Sequence, residues 1–318
     1  MQQYTDLVKH VLQNGTRKEN RTGVDTISTF GYYYEHDLRE GFPLLTTKTV
    51  SWKNIVIELL WFLSGSDKAD FLERHNCGFW KPWYLEDGRV ANCYGPAWRK
   101  FPVHREGVIN YRSGGIQVNL DGPYNDQIGW VVGELQRNPL SRRMVVSAWA
   151  PGDAQVAKLP PCHAMFVLNV QNEVKERYHS TVVPDVYGQR LCLHLTQRSC
   201  DVALGVPYNL ASYALLLHLF SRFSGIEPGI FGHTLIDAHI YTAKPDGDKA
   251  EYDHIPGLRE QISREPKSLP KLTISDRIKS LTDVEALLDP SVTTEEIMSL
   301  FVLEGYEPHP KIDFKVAV

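Results

Sequence analysis

Apolar residues recur with helical spacing in some segments of the chain and cluster in strand-like runs in others. Near the amino terminus, Tyr4, Leu7, Val8, Val11 and Leu12 form one stripe of an amphipathic helix. Similar spacing predicts helices at about 2–13, 52–64, 67–75, 124–137, 209–224 and 253–263. β-Branched and aromatic residues between turn residues predict strands at about 25–36, 143–150, 163–171, 190–199, 232–241 and 269–274.

The mixed order of these elements predicts an α+β fold with a large sheet flanked by helices. No internal repeat and no low-complexity linker divides the 318 residues, so we predict a single domain over 1–318. The composition, with 42% hydrophobic residues, supplies enough apolar material for a sizeable core.

Charge and cysteine content restrict the class of protein. A net charge of −4 lacks the basic character of nucleic-acid-binding proteins, so nucleic acid is not expected as a primary partner. Five cysteines without CxxC spacing argue against a disulfide framework or a zinc site, and they fit a reducing compartment. Met1 opens directly into the amphipathic helix, and no apolar run is long enough to span a bilayer. We therefore expect a cytoplasmic protein (in the host cytoplasm if viral) with no membrane partner and no metal.

The most informative segment is LPPCHAMF, residues 159–166, which places Cys162 after two prolines. An unplaced free cysteine is most often a buried structural residue. A dyad with His163 is disfavoured, because neighbours on a strand point to opposite faces. Positive charge would favour a thiolate, and Arg198 and the pair Arg142 and Arg143 are candidates to supply it. The same guanidiniums suit a phosphate, so the pattern indicates a phosphorylated substrate held against a thiolate.

The chain resembles the thymidylate synthase family in many separated blocks that occur in the family's order. Besides 159–166 these are NRTG (20–23), GFPLLTTK (41–48), ELLWFLSGS (58–66), YGPAWR (94–99), SRRMVVSAW (141–149), QRSCDVALGVPYN (197–209), DAHIY (237–241), REPKSLPKL (264–272) and GYEPHPKIDFKVAV (305–318). The resemblance covers most of the chain. It implies a thymidylate synthase-like fold, a dimer formed through the sheet, and reductive methylation of dUMP to dTMP with 5,10-methylenetetrahydrofolate as carbon and hydride donor.

An alternative outcome within the family is a 5-hydroxymethyltransferase, in which water instead of hydride attacks the exocyclic methylene. Trp80 and the carboxyl-terminal VAV (residues 316–318) favour the enzyme that transfers a hydride and so methylates dUMP. Two departures leave the alternative open: Ala150 stands where the family has asparagine, and Val167 where it has glutamine. A non-catalytic RNA-binding relative is a second class, against which the presence of Cys162, Arg198 and Asn209 argues.

By resemblance, the catalytic residues are Cys162, Glu58, Tyr94, Asn209 and Asp201. Two of them have structural alternatives. Asn209 sits at a good N-cap position, which from the residues alone is the favoured interpretation. Glu58 leads an apolar run and would ordinarily be a solvated first-turn residue. In the family the asparagine reads uracil and the glutamate moves protons at the pyrimidine carbonyl.

The resemblance also assigns the binding residues. Nucleotide binding falls to Arg21, Arg142, Arg143, Arg198, Ser199, Asn209, His239 and Tyr241, with the arginine pair 142 and 143 reaching the partner subunit's phosphate. His239 and Tyr241 would share a strand face and bind the sugar 3′-hydroxyl. Folate binding falls to Lys48, Trp80, Trp83, Leu159, Asp201, Gly205, Tyr208, Val316 and Ala317. The tail would close over bound folate and exclude water.

Compared with compact family members, the chain carries extra residues in four places. We predict surface insertions near 101–122, 174–188, 243–252 and 277–297, since these stretches are polar. Such insertions are typical of a divergent member, for example a phage enzyme.

Overall fold

The computed structural model describes residues 1–20, 22–90, 93–102, 112–113, 116–117, 124–154, 159–174 and 186–317. The helices in these ranges are α1 Gln2–Asn14, α2 Trp52–Ser64, α3 Asp70–Arg74, α4 Tyr94–Arg99, α5 Gln127–Arg137, α6 Pro151–Ala154, α7 Gly205–Ser224, α8 Ile255–Ser263, α9 Leu281–Ala286 and α10 Thr294–Leu300. Short 3₁₀ turns lie at Leu38–Glu40, Lys81–Trp83 and Ala250–Tyr252.

The strands are β1 Thr16–Lys18, β2 Asp25–Asp37, β3 Phe101–Pro102, β4 Arg112–Ser113, β5 Ile116–Gln117, β6 Tyr124–Asn125, β7 Val145–Ser147, β8 His163–Val174, β9 Val186–Asp201, β10 Glu227–Thr242, β11 Lys271–Ile274 and β12 Phe301–Glu304. Within the described ranges, six of them form one sheet in the order β1-β2-β10-β9-β8-β7. β9 and β10 run parallel and the other neighbours run antiparallel. The predicted α+β fold with a large mixed sheet is confirmed.

One face of the sheet packs against helix α7. The core side chains of the central strands are almost fully buried, among them Phe166, Leu193, Leu195, Phe231 and Leu235. α7 itself is buried on most of its circumference, because it lies between the sheet and the helices α2 and α5. Burial of this apolar surface supplies the main driving force for the fold.

The opposite face of the sheet, which we call the outer face, exposes large apolar side chains. Tyr33, Val145 and Met165 are exposed, and each stands next to a buried core residue along its strand. Phe30 is 89% exposed. Exposed large apolar side chains on one face of a sheet are typical of a protein–protein contact.

The predicted elements are all present, with some shifts at their ends. Helix α7 begins at Gly205, four residues before the predicted start at 209, and the strand predicted at 143–150 is limited to Val145–Ser147. Pro207 is accommodated because it lies in the first turn of α7, where backbone N–H groups have no intrahelical partner. Sequence reasoning missed β1, α4, α6, the short strands β3 to β6 and the elements after residue 280.

The predicted insertions lie in different settings. Most of 101–122 and 174–188 falls outside the described residues. The stretch 243–252 contains a 3₁₀ turn, and 277–297 contains α9 and the start of α10. The last stretch buries four apolar side chains: Ile278, Val284, Leu287 and Ile297. No helix in the described part of the chain is long and apolar enough to cross a membrane.

Gly65 ends α2 in the left-handed conformation, with φ of 69°. A Cβ at this position would lie 2.6 Å from the Arg99 Cβ. We expect Gly65→Ala to destabilise the fold by at least ~2 kcal/mol, from backbone strain and this collision together. The measurement is urea denaturation. Gly225→Ala is the matched control, because Gly225 also ends a helix at positive φ but would meet no atom within 4 Å. Equal losses for the two variants would contradict the collision.

Candidate active site

Cys162 lies just before β8 and is held by its backbone. Its amide and that of His163 both donate to the Tyr94 hydroxyl oxygen, at 3.0 and 3.2 Å. Burial raises the pKa of Tyr94 well above its ordinary value, so the phenol stays protonated. Since its oxygen already accepts two N–H bonds, its own proton is available for donation. The proximity of Tyr94 to Cys162 brings two of the predicted catalytic residues together.

Arg198 lies beside the thiol. Its Nη2 is 3.9 Å from Sγ of Cys162, and the guanidinium donates to the carbonyl oxygens of Pro160 and Pro161 at 2.7 and 2.9 Å. The guanidinium also lies over the Trp149 ring, 5.3 Å from its centroid. A fixed positive charge at this distance stabilises a thiolate. Trp149 was not singled out from the sequence.

Glu58 lies in the middle of α2, which is capped by Ser51, so the interpretation of Glu58 as a solvated first-turn residue is wrong. Its Oε1 accepts a hydrogen bond from Trp80 Nε1 at 2.7 Å. Burial raises the pKa of Glu58 to about 7, although the bond from Trp80 opposes this shift. A carboxyl that titrates near neutrality can both give and take a proton.

Asn209 is in the fifth position of α7, so its interpretation as the helix N-cap is wrong. Its side chain lies against Gly205 and interacts with His163. His163 stacks on Tyr94, with ring centroids 4.4 Å apart. Burial lowers the pKa of His163 to about 3, so its imidazole stays neutral and cannot form an ion pair with the thiolate. Sequence reasoning gave His163 no role in the site beyond the disfavoured dyad.

Asp201 lies at the end of β9 and holds the start of α7. Its Oδ1 accepts from the amides of Ala203 and Leu204, at 2.9 and 3.1 Å. Lys48 is 3% exposed, and its Nζ donates to the Ala203 carbonyl at 2.6 Å. Burial lowers the pKa of Lys48 to about 8, an effect that the negative charge of Asp201 opposes. The Lys48 ammonium thus faces the start of α7.

Aromatic side chains form a wall next to Glu58. Trp80 and Trp83 meet edge to face, with centroids 6.0 Å apart. Tyr208 meets Phe79 in the same way at 4.8 Å, a contact not anticipated from the sequence. Trp83, Tyr208 and Leu159 are partly buried hydrophobics packed against the core. Half-buried aromatic faces of this kind suit the stacking of a flat heterocycle.

The remaining predicted nucleotide-binding residues are spread over several elements. His239 and Tyr241 on β10 do share a face, with ring centroids 5.3 Å apart. Ser199 on β9 pairs in register with Asp237 on β10. Arg142 and Arg143 are exposed and precede β7 at the edge of the sheet. Arg21 lies outside the described residues.

The carboxyl-terminal segment packs beside Lys48. Phe314 lies under the Lys48 ammonium, 4.6 Å from ring centroid to Nζ, and His254 Nε2 is 2.8 Å from the Lys315 carbonyl oxygen. Val316 is 47% exposed and Ala317 is half-buried, while residue 318 lies outside the described residues. The segment therefore reaches the elements that carry Asp201 and Lys48.

The two departures from the family pattern occupy different places. Val167 is half-exposed and pairs in register with Val145 and His194, so it alternates with the buried Phe166 and Leu168 and belongs to the outer face. Ala150 precedes the short helix α6 and accepts the Ala154 amide through its carbonyl. Across the described ranges, no group of three or more His, Cys, Asp or Glu side chains is placed to hold a metal ion.

Comparison with known proteins agrees with this geometry. The family model described as thymidylate synthase matches residues 2–318. A thymidylate synthase from Haloferax volcanii is 38% identical over 359 aligned residues, which cover 98% of this chain and 95% of that protein. The chain belongs to the thymidylate synthase family of folate-dependent one-carbon transferases.

Proposed function

We propose that this protein is a thymidylate synthase that methylates dUMP to dTMP, with 5,10-methylenetetrahydrofolate as the source of both the carbon and the hydride. The observation that carries the proposal is the contact of Tyr94 with the Cys162 amide, which holds a protonated phenol next to a thiol that Arg198 flanks. The relative from Haloferax volcanii, named as a thymidylate synthase, supports the same activity.

The chemistry begins with Cys162. Its thiolate forms a bond to C6 of dUMP, and the C5–C6 electron pair moves towards the O4 carbonyl, which makes C5 a nucleophile. The Asn209 amide binds N3–H and O4, and Glu58 donates a proton to the pyrimidine carbonyl and later removes it. When bound, the folate supplies a one-carbon unit to C5 and then a hydride.

The later steps need a base, a proton path and exclusion of water. Tyr94 assists loss of the C5 proton through ordered water. Tetrahydrofolate leaves from the transferred carbon in the same elimination, so that an exocyclic methylene remains on the nucleotide. Hydride addition to this methylene expels the Cys162 thiolate from C6 and yields dTMP and dihydrofolate. The flat rings of the folate stack on the wall formed by Trp80, Trp83, Leu159 and Tyr208. Asp201 and Gly205 contact the edge of these rings. Lys48 binds the glutamate tail of the folate. The tail residues Val316 and Ala317 close over the site.

The proposal includes a homodimer formed through the outer face. The exposed side chains Phe30, Tyr33, Val145 and Met165 favour burial against a second copy, and Val167 adds to this apolar surface in place of the family's glutamine. Arg142 and Arg143 are exposed. In the proposed dimer they bind the phosphate of the nucleotide held by the partner subunit, together with Arg198 and Ser199 of that subunit, and Arg21 is assigned to the same phosphate by resemblance alone. The enzyme acts in the cytoplasm.

The decisive experiment mixes the protein with methylenetetrahydrofolate and dUMP tritiated at C5. We expect tritium release to match dihydrofolate formation and a product with the mass of dTMP. Tritium release without dihydrofolate, and with a hydroxymethyl product, would assign a 5-hydroxymethyltransferase instead. No tritium release would overturn both assignments.

A further inference from the structure

Lys18 and Asp237 form an ion pair next to His239, and sequence reasoning gave neither residue a role. Lys18 ends β1 and Asp237 lies in β10, with β2 between these two strands. The Lys18 ammonium contacts Oδ2 of Asp237. Burial alone would raise the pKa of Asp237, but hydrogen bonds from His239 and Lys18 outweigh it and hold the pKa at about 2. The Asp237 carboxylate is therefore ionised at neutral pH.

The pleat of β10 explains why Asp237 stands next to His239. Fully buried positions are odd-numbered up to Leu235 and even-numbered from Ala238 onwards, so the alternation changes phase between these residues. Beyond this point, Asp237, His239 and Tyr241 share one face of the strand.

The surroundings of His239 Nδ1 determine which ring nitrogen carries the proton in the neutral imidazole. This nitrogen is 3.2 Å from the Asp237 carbonyl oxygen and 3.5 Å from the Asp237 Oδ1. Oδ1 is buried and accepts no hydrogen bond of normal geometry from the described residues, which leaves it able to accept one from Nδ1. Both atoms that face Nδ1 can only accept, so Nδ1 carries the proton. In the neutral ring Nε2 then presents a lone pair.

We propose that Lys18 and Asp237 are positioning residues that fix His239 in the Nδ1–H tautomer, so that Nε2 accepts a hydrogen bond from the sugar hydroxyl of the substrate. The inference rests on the proposed function, in which His239 and Tyr241 bind the 3′-hydroxyl of dUMP. It adds a specificity rule, because the group at the 3′ position must be a hydrogen-bond donor. A fluorine there would face the Nε2 lone pair, which repels it.

Asp237→Asn tests the tautomer because Lys18 controls how the new amide turns. The ammonium of Lys18 needs an acceptor, so the Asn carbonyl oxygen faces Lys18 and the NH₂ group faces His239. The new NH₂ group then opposes an N–H at Nδ1, although the residue-237 carbonyl oxygen still favours one, and the balance shifts towards the Nε2–H tautomer. Adding Lys18→Met removes this constraint, so the carbonyl can turn to Nδ1 and restore the original tautomer.

The experiment measures binding of dUMP and of its 3′-deoxy-3′-fluoro analogue by calorimetry, at about pH 8, where ordinary imidazoles are neutral. For the unmodified protein we expect dUMP to bind at least about tenfold more tightly than the fluoro analogue. In Asp237→Asn this ratio should fall to about threefold or less, and in the double variant it should return towards the original ratio. Asp276→Asn is the control, since Asp276 pairs with Arg222 at the surface.

The outcomes separate the inference from the proposed function. If the unmodified protein converts dUMP and prefers it to the analogue, but Asp237→Asn lowers both affinities equally, Asp237 has only a structural role and the inference is overturned. A protein that converts dUMP without any preference for the 3′-hydroxyl would also overturn it. Failure of the unmodified protein to bind dUMP would overturn the proposed function and the inference together. Loss of the preference in Asp237→Asn with recovery in the double variant supports the tautomer assignment.

Discussion

Cys162→Ser is expected to lower the rate of dTMP formation by at least about 10⁴-fold, because a serine hydroxyl remains protonated where the thiolate is the nucleophile. Binding of dUMP should change only a few-fold, since the Cys162 amide keeps its bond to Tyr94 and the Arg198 guanidinium keeps its carbonyl partners. Single-turnover tritium release and calorimetric titration with dUMP measure the two effects separately.

The control for this variant is Cys192→Ser. Cys192 is also half-buried, but it lies on β9 where its sulfur accepts the Ile230 amide at 3.4 Å. We expect near-normal turnover from Cys192→Ser. Full activity of Cys162→Ser would refute the assignment of the nucleophile.

Hybrid dimers extend the same prediction to the shared site. Cys162→Ser and Arg143→Ala should each be inactive alone, yet mixing their subunits creates one site that has both an intact Cys162 and an intact partner arginine. Because half of randomly mixed dimers are hybrids with one such site, activity should recover to at most roughly a quarter of normal. No recovery, with hybrid formation verified by mass spectrometry, would contradict the arginine contribution from the partner.

Local pattern was enough to predict α2, α7 and the central strands, which carry most of the site, but not α4, which carries Tyr94. The apolar stripe of α1 and the β-branched runs of the central strands are visible in the sequence, because the repeat of a helix or a strand determines which of its residues face the core. The family blocks indicated Cys162, Glu58, Tyr94 and Asn209. The structure connects the first three, since Trp80 donates to Glu58 and meets the Tyr94 ring edge to face, and Tyr94 accepts the Cys162 amide. The roles of these residues remain predictions.

The errors arose where tertiary contacts override local rules. Asn209 has the chemistry of an N-cap, but α7 begins four residues earlier at Gly205, after a turn in which Asp201 accepts the amides of Ala203 and Leu204. Glu58 has the pattern of a solvated acid, but Trp80, which lies 22 residues further along the chain, donates to it. The Lys18–Asp237 pair joins strands far apart in sequence, so no local spacing could indicate it.

Glu58→Gln is expected to reduce turnover by about 10²- to 10³-fold, because glutamine keeps an acceptor oxygen for Trp80 Nε1 but cannot exchange a proton. With a pKa of about 7, Glu58 exists in both protonation states at neutral pH. A plot of the logarithm of the turnover rate against pH should therefore change slope near pH 7 for the unmodified enzyme. The variant should lose this inflection. Rate profiles between about pH 5 and pH 9 measure it, and an exposed site, Glu295→Gln, is the control.

The same substitution makes a prediction about stability with a definite sign. Burial raises the pKa of Glu58 from its ordinary 4.5 to about 7, so the folded chain binds this proton more tightly than the unfolded chain. The resulting stabilisation is complete below the ordinary value and is lost as the pH rises through about 7. The unmodified protein should therefore lose stability relative to Glu58→Gln between these values, while other titrating groups cancel in the comparison. Denaturation of both proteins at several pH values measures the difference, and parallel curves would show that Glu58 is not a buried carboxyl with a raised pKa.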